Sequence, residues 1–317
     1  MISPKITAKE VADFLNITVQ GVHKKVKINE LAESKIQNRT FYTHDTAKKL
    51  FNLKYKTTIL TTSVVKGGVG KTTISDSLAI RATLYGLKVL CIDADQQANL
   101  TKGLCMGESA KTCPIIIDIA ENKASANEAL LQVLPGLDLI PSRLDNVTLD
   151  NYLMVNRINP AKFFHSIFGN IFKKYDLVII DCPPTLGSTV CSAMLASDIV
   201  IAPLNPDIYS FEGIEIMHKE ILNIYEQFDK KINLKILLNK FDSKTILSTQ
   251  YLTELINDKK YSQILLKSII RTSQDFPNCK NKGKSIFDSI KKSTAKEDID
   301  QLTREIITEH MNKQGEE

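Results

Sequence analysis

The sequence predicts an α/β fold: a doubly wound, mainly parallel sheet flanked by helices, preceded by a small module with helix-turn-helix spacing. Three observations predict it. From Thr57 onward, short apolar runs alternate with helical segments, as in strands joined by helical crossovers. The octamer Lys66-Gly67-Gly68-Val69-Gly70-Lys71-Thr72-Thr73 sits between one such run and a helix, the context of a phosphate-binding loop. Residues 1–50 instead read as short helices broken by Asn16-Ile17-Thr18.

The first module spans 1–53. Thr7 and Glu10 have capping-box spacing, in which the hydroxyl accepts from the Glu10 N–H while the carboxylate reaches back. Val11, Phe14 and Leu15 follow at helical spacing. After the turn, a second helix covers 19–26 with Val22 and Val26 on one face. Gln20, His23, Lys24 and Lys27 are then its outward residues, placed to reach bases or phosphates. Residues 38–43 read as a β wing carrying Arg39, followed by a helix through Ala47 to Phe51. Paired helices with a short turn also occur as plain caps with solvated lysines, so the spacing leaves both readings open.

Residues 54–56 read as a short linker into a second domain, 54–317. Its strands are expected at 58–65, 88–93, 137–141, 177–181, 199–203, 234–239 and 264–270. Helices are expected at 72–85, 160–173, 188–196, 211–227, 246–256 and 295–311, with a disordered tail at 312–317.

At 317 residues, 43% hydrophobic and 24% charged, the chain has enough apolar material for one large domain plus a small one. No apolar run reaches the roughly 18 residues of a membrane span, and residues 1–10 lack the apolar core of an export signal. A cytoplasmic protein is expected. The six cysteines are scattered without a CxxC pair, which argues for reduced thiols rather than a disulfide frame or metal site. Residues 1–56 hold eleven Lys or Arg against five Asp or Glu, a net of +6 where the whole chain has +5. The positive excess therefore sits in the first module, where it would attract nucleic acid.

In the octamer, glycines let the backbone curl around phosphates, and successive N–H groups at a positive helix terminus hold the oxygens. Gly67, Gly68, Val69, Gly70 and Thr73 would supply that cradle, Lys71 would reach the β and γ phosphates, and Thr72 would give a hydroxyl to Mg²⁺. The stretch departs from the plain GxxxxGK[ST] pattern at its first position, which holds Val65, with Lys66 next.

That departure resembles the deviant Walker A motif of the ParA/MinD superfamily, which opens with lysine and glycine. The resemblance implies that Lys66 crosses a nucleotide-sandwich dimer to the partner's phosphates, so that ATP joins two copies of the chain. Asp93-Ala94-Asp95-Gln96-Gln97-Ala98-Asn99-Leu100-Thr101 is similar to the family's DxDxQxNxT strand end, with Gln96 where proline is frequent. It implies that Asp93 supports Mg²⁺ and Asp95 positions the attacking water. Leu177-Val178-Ile179-Ile180-Asp181-Cys182-Pro183-Pro184 resembles the Walker B strand, with Asp181 on hydrated Mg²⁺. Lys66, Lys71 and Asp95 are thus the expected catalytic set. Asn239 is a candidate adenine contact, the loops after Pro203 being an equal alternative.

The resemblance covers roughly 57–290, and the layout of the first module resembles the MerR-like winged helix-turn-helix at the front of larger plasmid ParA proteins. It implies a DNA-partition ATPase with ATP and Mg²⁺ as cofactors. Its partners would be a second copy of the chain, nonspecific and in some cases operator DNA, and a ParB-like centromere-binding adaptor that stimulates hydrolysis. It also implies association with the nucleoid. Lys244 and Arg271 match basic positions used for DNA, and Lys267, Lys280, Lys282 and Lys284 lie near Arg271 in sequence. A solvated charged surface is the other reading of that cluster. Alternative functions are a sequence-specific transcription regulator with an ATPase switch and a MinD-like positioning ATPase. The end of the chain, acidic and poor in bulky apolar residues, argues against the membrane attachment the latter needs. A nitrogenase-like iron–sulfur reductase would need cysteines in other places, and a tyrosine-kinase relative a tyrosine-rich tail.

Overall fold

The computed structural model of the protein describes residues 5–36, 39–105, 107–289 and 291–311; the expected tail and Asn38 of the expected wing lie outside them. The chain opens with β1 (Ile6–Thr7), α1 (Ala8–Leu15), α2 (Val19–Ile28), β2 (Ser34–Ile36), β3 (Arg39–Tyr42) and α3 (His44–Phe51). Then come β4 (Thr58–Thr62), α4 (Lys71–Leu84), β5 (Val89–Asp93), α5 (Asn99–Leu104), α6 (Ser109–Thr112) and α7 (Ile116–Ala120). The hairpin β6 (Leu131–Leu134) and β7 (Leu137–Ile140) precedes α8 (Leu149–Val155), α9 (Pro160–Phe172), β8 (Leu177–Asp181), α10 (Ser188–Ala196) and β9 (Ile199–Leu204). The rest is α11 (Ile208–Phe228), β10 (Leu234–Phe241), α12 (Ile246–Asn257), β11 (Leu265–Arg271), α13 (Asp275–Asn281) and α14 (Thr294–Glu305).

The large sheet has eight strands in the order β11-β10-β9-β4-β8-β5-β7-β6, all parallel except β6. Every residue of β4, β5, β8 and β9 is buried, which is why these strands read as unbroken apolar runs rather than alternating ones. From β4 the chain crosses to β5 on one side, and from β8 to β9 on the other. The carboxyl ends of β4, β8 and β9 therefore open on the crevice where ligands of such sheets bind.

Several elements differ from expectation. The first strand stops at Thr62 rather than Val65, because the chain leaves the ladder to build the glycine loop. β6 was not anticipated; Pro135-Gly136 between two apolar runs is the turn signal, and Gly136 holds a φ of +82° there. The last helix is α-helical only to Glu305 and continues as a π-helical turn over Ile306–His310. At the changeover the Glu305 carboxylate accepts from the N–H groups of Lys267 and Ser268, both at 2.8 Å. Asp298 of the same helix accepts from the Arg271 N–H. α14 thus satisfies donors along the edge strand β11 that no further strand pairs.

In the first module, α1 and α2 are joined by a turn in which Asn16 takes the left-handed conformation (φ +51°), and β1, β3 and β2 form a three-stranded antiparallel sheet. The Thr7–Glu10 capping box is present in both directions. The expected linker is no free tether: Tyr55 is buried, and its side chain joins a core shared by the module and the back of the large sheet.

Candidate nucleotide site

The loop between β4 and α4 is shaped by two left-handed glycines, Gly68 (φ +73°) and Gly70 (φ +94°). A Cβ on Gly70 would lie 2.4 Å from the Asn239 side-chain nitrogen, so this position excludes any larger residue. Around Gly67 and Gly68 a Cβ would meet nothing within 4 Å, which leaves an open cradle at the amino end of α4. Val69 is buried and seats the loop in the core. From behind, the Asn239 amide donates to the Val69 carbonyl (2.6 Å) and the Lys240 ammonium to that of Gly68 (2.7 Å), tying the end of β10 to the loop.

Lys71, the first residue of α4, is only 7% exposed, and its Nζ donates to the Lys66 carbonyl at 3.0 Å. Burial pushes its pKa down, opposed chiefly by the charge of Asp181. Lys66, at the mouth, pairs with Asp207 beyond the end of β9. Asp207 had no place in the sequence reading, since nothing local marks it.

Three carboxylates gather opposite the loop. Asp181 is fully buried at the end of β8: Oδ1 accepts from Thr62 and Ser75, both at 2.9 Å, and Oδ2 from the Thr72 hydroxyl at 2.7 Å. Across the ladder stands Asp93, in register with Asp181, its Oδ2 accepting from the Thr101 N–H (2.8 Å) and hydroxyl (2.7 Å). Asp95 is buried at the start of the next turn and accepts from the Gln97 N–H at 2.9 Å. Burial, and secondarily the charge of Asp181, pushes Asp93 up to about 7; burial also raises Asp181. Two adjacent carboxylates in a dry site, with a threonine hydroxyl between one of them and the loop, suit a hard cation that keeps waters and phosphate oxygens as its other ligands. No group of three or more His, Cys, Asp or Glu forms a closed metal cage among the described residues.

The structure thus brings Lys66, Gly67–Thr73, Asp93, Asp95, Asp181 and Asn239 to one crevice. The supporting hydroxyls of Thr62 and Ser75 carry no sequence signal beyond being polar residues inside otherwise apolar elements, whereas Thr101 closes the DxDxQxNxT pattern, which gives it no role of its own.

The basic candidates lie in separate places. Gln20, Lys24, Lys27 and Arg39 are exposed, whereas His23 is half-buried, 3.5 Å from the Tyr42 hydroxyl and 4.0 Å from Glu33. Lys244 is exposed in the turn after β10. Arg271, Lys280 and Lys284 line one cavity beside the phosphate loop, with Lys282 exposed nearby. Lys267 stands apart at the other end of β11, paired with Glu309, and Arg271 is engaged by Asp298 and Glu297. The sequence cluster is therefore not one uniform face.

A parallel sheet, a glycine loop closing on a buried lysine and acids at the adjoining strand ends define a phosphate-loop nucleotide-binding fold. The chain belongs to the AAA domain family whose model matches residues 57–236. The sporulation initiation inhibitor protein Soj of Bacillus subtilis is 30% identical over 213 residues, covering 64% of this chain and 82% of Soj. The chromosome partitioning protein ParA of Caulobacter vibrioides is 28% identical over 260 residues, covering 79% and 94%. A plasmid partition protein from Borrelia burgdorferi bound to AMPPNP superposes with a TM-score of 0.66 at 23% identity, covering 78% of this chain and 98% of that one. Cobyrinic acid a,c-diamide synthase from Mycobacterium smegmatis, solved with an ATP analogue and magnesium, reaches 0.67 at 22% identity, covering 82% and 100%. The fold therefore serves unrelated chemistry, and function has to be argued from the site. No helix of the described residues is long and apolar enough to cross a membrane.

Proposed function

We propose that this protein is an ATP-dependent DNA-partition switch. The observation that carries the reading is the pair of lysines at one loop: Lys71 buried inside the cradle near Asp181 and Asp95, and Lys66 at its mouth beside Asp207. One lysine suffices to hold phosphates, so a second at the rim is placed to act outward, on nucleotide held by another copy of the chain. ATP then joins two copies, Thr72, Asp181 and Asp93 hold Mg²⁺, and Asp95 orients water for hydrolysis. When bound, Mg²⁺ neutralises charge on the phosphates; Lys71 and the loop N–H groups hold their oxygens.

The paired form binds DNA without sequence preference through Lys244 and Arg271 together with the lysines flanking the cavity. A centromere-binding adaptor stimulates hydrolysis and resets it. Partition relatives support this reading, as do relatives solved with ATP analogues. The helices and small sheet of the first module support a second, sequence-reading contact through Gln20, Lys24, Lys27 and Arg39, which would let the protein repress its own operon.

The test is binding of the full chain to random-sequence DNA with ATP, with ADP and with no nucleotide, at fixed salt. Binding that needs ATP and weakens when Lys244 and Arg271 are neutralised is expected. Binding that ignores nucleotide or demands one sequence would make the protein a transcription regulator instead.

A further inference from the structure

A cavity of about 420 Å³ opens beside the phosphate loop, within the size range of small-molecule sites. One wall is α4, which presents Thr73, Asp76, Ser77 and Ile80, a single helical face. Gly70 and Asn239 close the phosphate end, and residues between Thr272 and Ile286 form the opposite wall. Among the described residues, Asp76 is the one carboxylate in this lining. Its Oδ1 accepts from the Ser77 hydroxyl at 2.8 Å, and its Oδ2 passes Gly103, where an added Cβ would come within 3.3 Å. The missing side chain at Gly103 is what gives the carboxylate room. Among the described residues, no lysine or arginine comes within 4.0 Å of Asp76; Lys280 acts on it from farther off. Burial pushes its pKa up to about 7, so it sits in a poorly solvated place with acceptor capacity to spare.

Resting on the nucleotide-site reading, we infer that Asp76 binds the ribose hydroxyls of the nucleotide. Asp76 stands one turn beyond Thr73, about 4.5 Å along the axis at 1.5 Å per residue. Phosphates held at the amino end of α4 put the next group of the ligand, the sugar, at that height. A vicinal diol offers two O–H donors, and Asp76, ionised above its pKa of about 7, is then an acceptor-only group that takes both; aspartate and glutamate do this for ribose in dinucleotide sites. Among the described residues the other charged groups of the lining are lysines and Arg271, which cannot accept from a hydroxyl, leaving Asp76 as the acid that selects ribose over deoxyribose.

The test compares ATP, 2′-deoxy-ATP and 3′-deoxy-ATP by calorimetry with Mg²⁺, on the wild-type chain and on Asp76→Ala and Asp76→Asn. The isosteric Asn variant guards against a folding defect and circular dichroism checks both. Wild type is expected to bind ATP about tenfold more tightly than either deoxynucleotide. Asp76→Ala should bring ATP down to the deoxynucleotide level, and Asp76→Asn should retain part of the preference. Affinity for inorganic tripolyphosphate should be the same in all three proteins. Equal wild-type affinities for ATP and both deoxynucleotides, or full discrimination surviving in Asp76→Ala, would overturn the ribose assignment while leaving the phosphate site intact. Failure of the wild type to bind any nucleotide would instead remove the nucleotide reading and the inference with it.

Discussion

At the scale of single residues, the acids around the phosphate loop differ in what holds them. Asp181 is fixed by three hydroxyls and Asp93 by Thr101, whereas Asp95 is fixed by a turn N–H. Asp95→Ala is therefore expected to keep ATP affinity within a fewfold of wild type and to lower the hydrolysis rate at least 100-fold, on the order of what positioning groups supply. A phosphate-release assay beside a binding assay checks both, and normal hydrolysis would refute the role given to Asp95. Asp76 gives a pH dependence. Its native pKa, near 7, lies above the unfolded value of 3.8, so the native state binds more protons between the two. That stability is fully present below about pH 4 and is lost as pH rises through 7. Asp76 is half-buried in the wall of an open cavity, so screening limits the effect to the order of 2 kcal/mol. Urea midpoints without nucleotide should fall over this range in wild type, and fall less in Asp76→Asn.

At the scale of elements, α4 is the piece on which the rest depends. Its first residue is Lys71 and its middle carries Asp76. Near its end is Arg81, 1% exposed, with Nη2 2.6 Å and Nε 2.7 Å from Asp300 and Nη1 3.0 Å from Glu10. Removing Arg81 takes a charged partner from Asp300 and Glu10, which are partly exposed and keep Arg304 and Thr7, at a cost of about 1.5–3 kcal/mol. Arg81→Ala should lower the urea midpoint accordingly, and Arg81→Met, which refills the volume, should lower it less, because Asp300 keeps Arg304 at 2.9 Å and the Tyr85 hydroxyl as partners. Lack of change in either variant would show the network to be surface-screened. The octamer at the head of α4 was legible because glycine, lysine and threonine at that spacing have few other uses. So were β4, β5, β8 and β9, whose full burial leaves apolar runs. Short helices such as α5, α7 and α13 were not, since segments of five to seven residues carry too little periodicity to stand out. The Lys66–Asp207 and Arg81–Asp300 pairs were illegible for another reason: they join residues 141 and 219 positions apart, which only the fold brings together.

At the scale of the whole molecule, the first module is built into the nucleotide domain rather than strung from it. Phe14 and Phe51 pack on Tyr85 with ring centroids 4.6 Å and 5.2 Å away, and Arg304 lies over Phe14. The chain approaches so closely at Gly86 that a Cβ there would fall 2.4 Å from Lys48 Cα, and at Gly136 one would fall 2.2 Å from the His44 ring. Glu10 serves two masters, capping α1 and pairing with Arg81 of α4. Deleting residues 1–53 would therefore bare Tyr85 and strip Arg81 of one partner. A loss of about 3 kcal/mol corresponds to a melting temperature roughly 6–12 °C lower for a domain of this size. By the same packing, the intact chain should unfold in a single calorimetric transition. Two transitions, or an unchanged melting temperature after the deletion, would mean that the module is carried rather than integrated. If the single transition holds, the DNA-reading helix proposed for the module keeps a fixed position relative to the nucleotide cradle. Two copies joined through ATP would then present two such helices at one set spacing, and ATP would govern recognition of a two-part DNA site without any change inside either module.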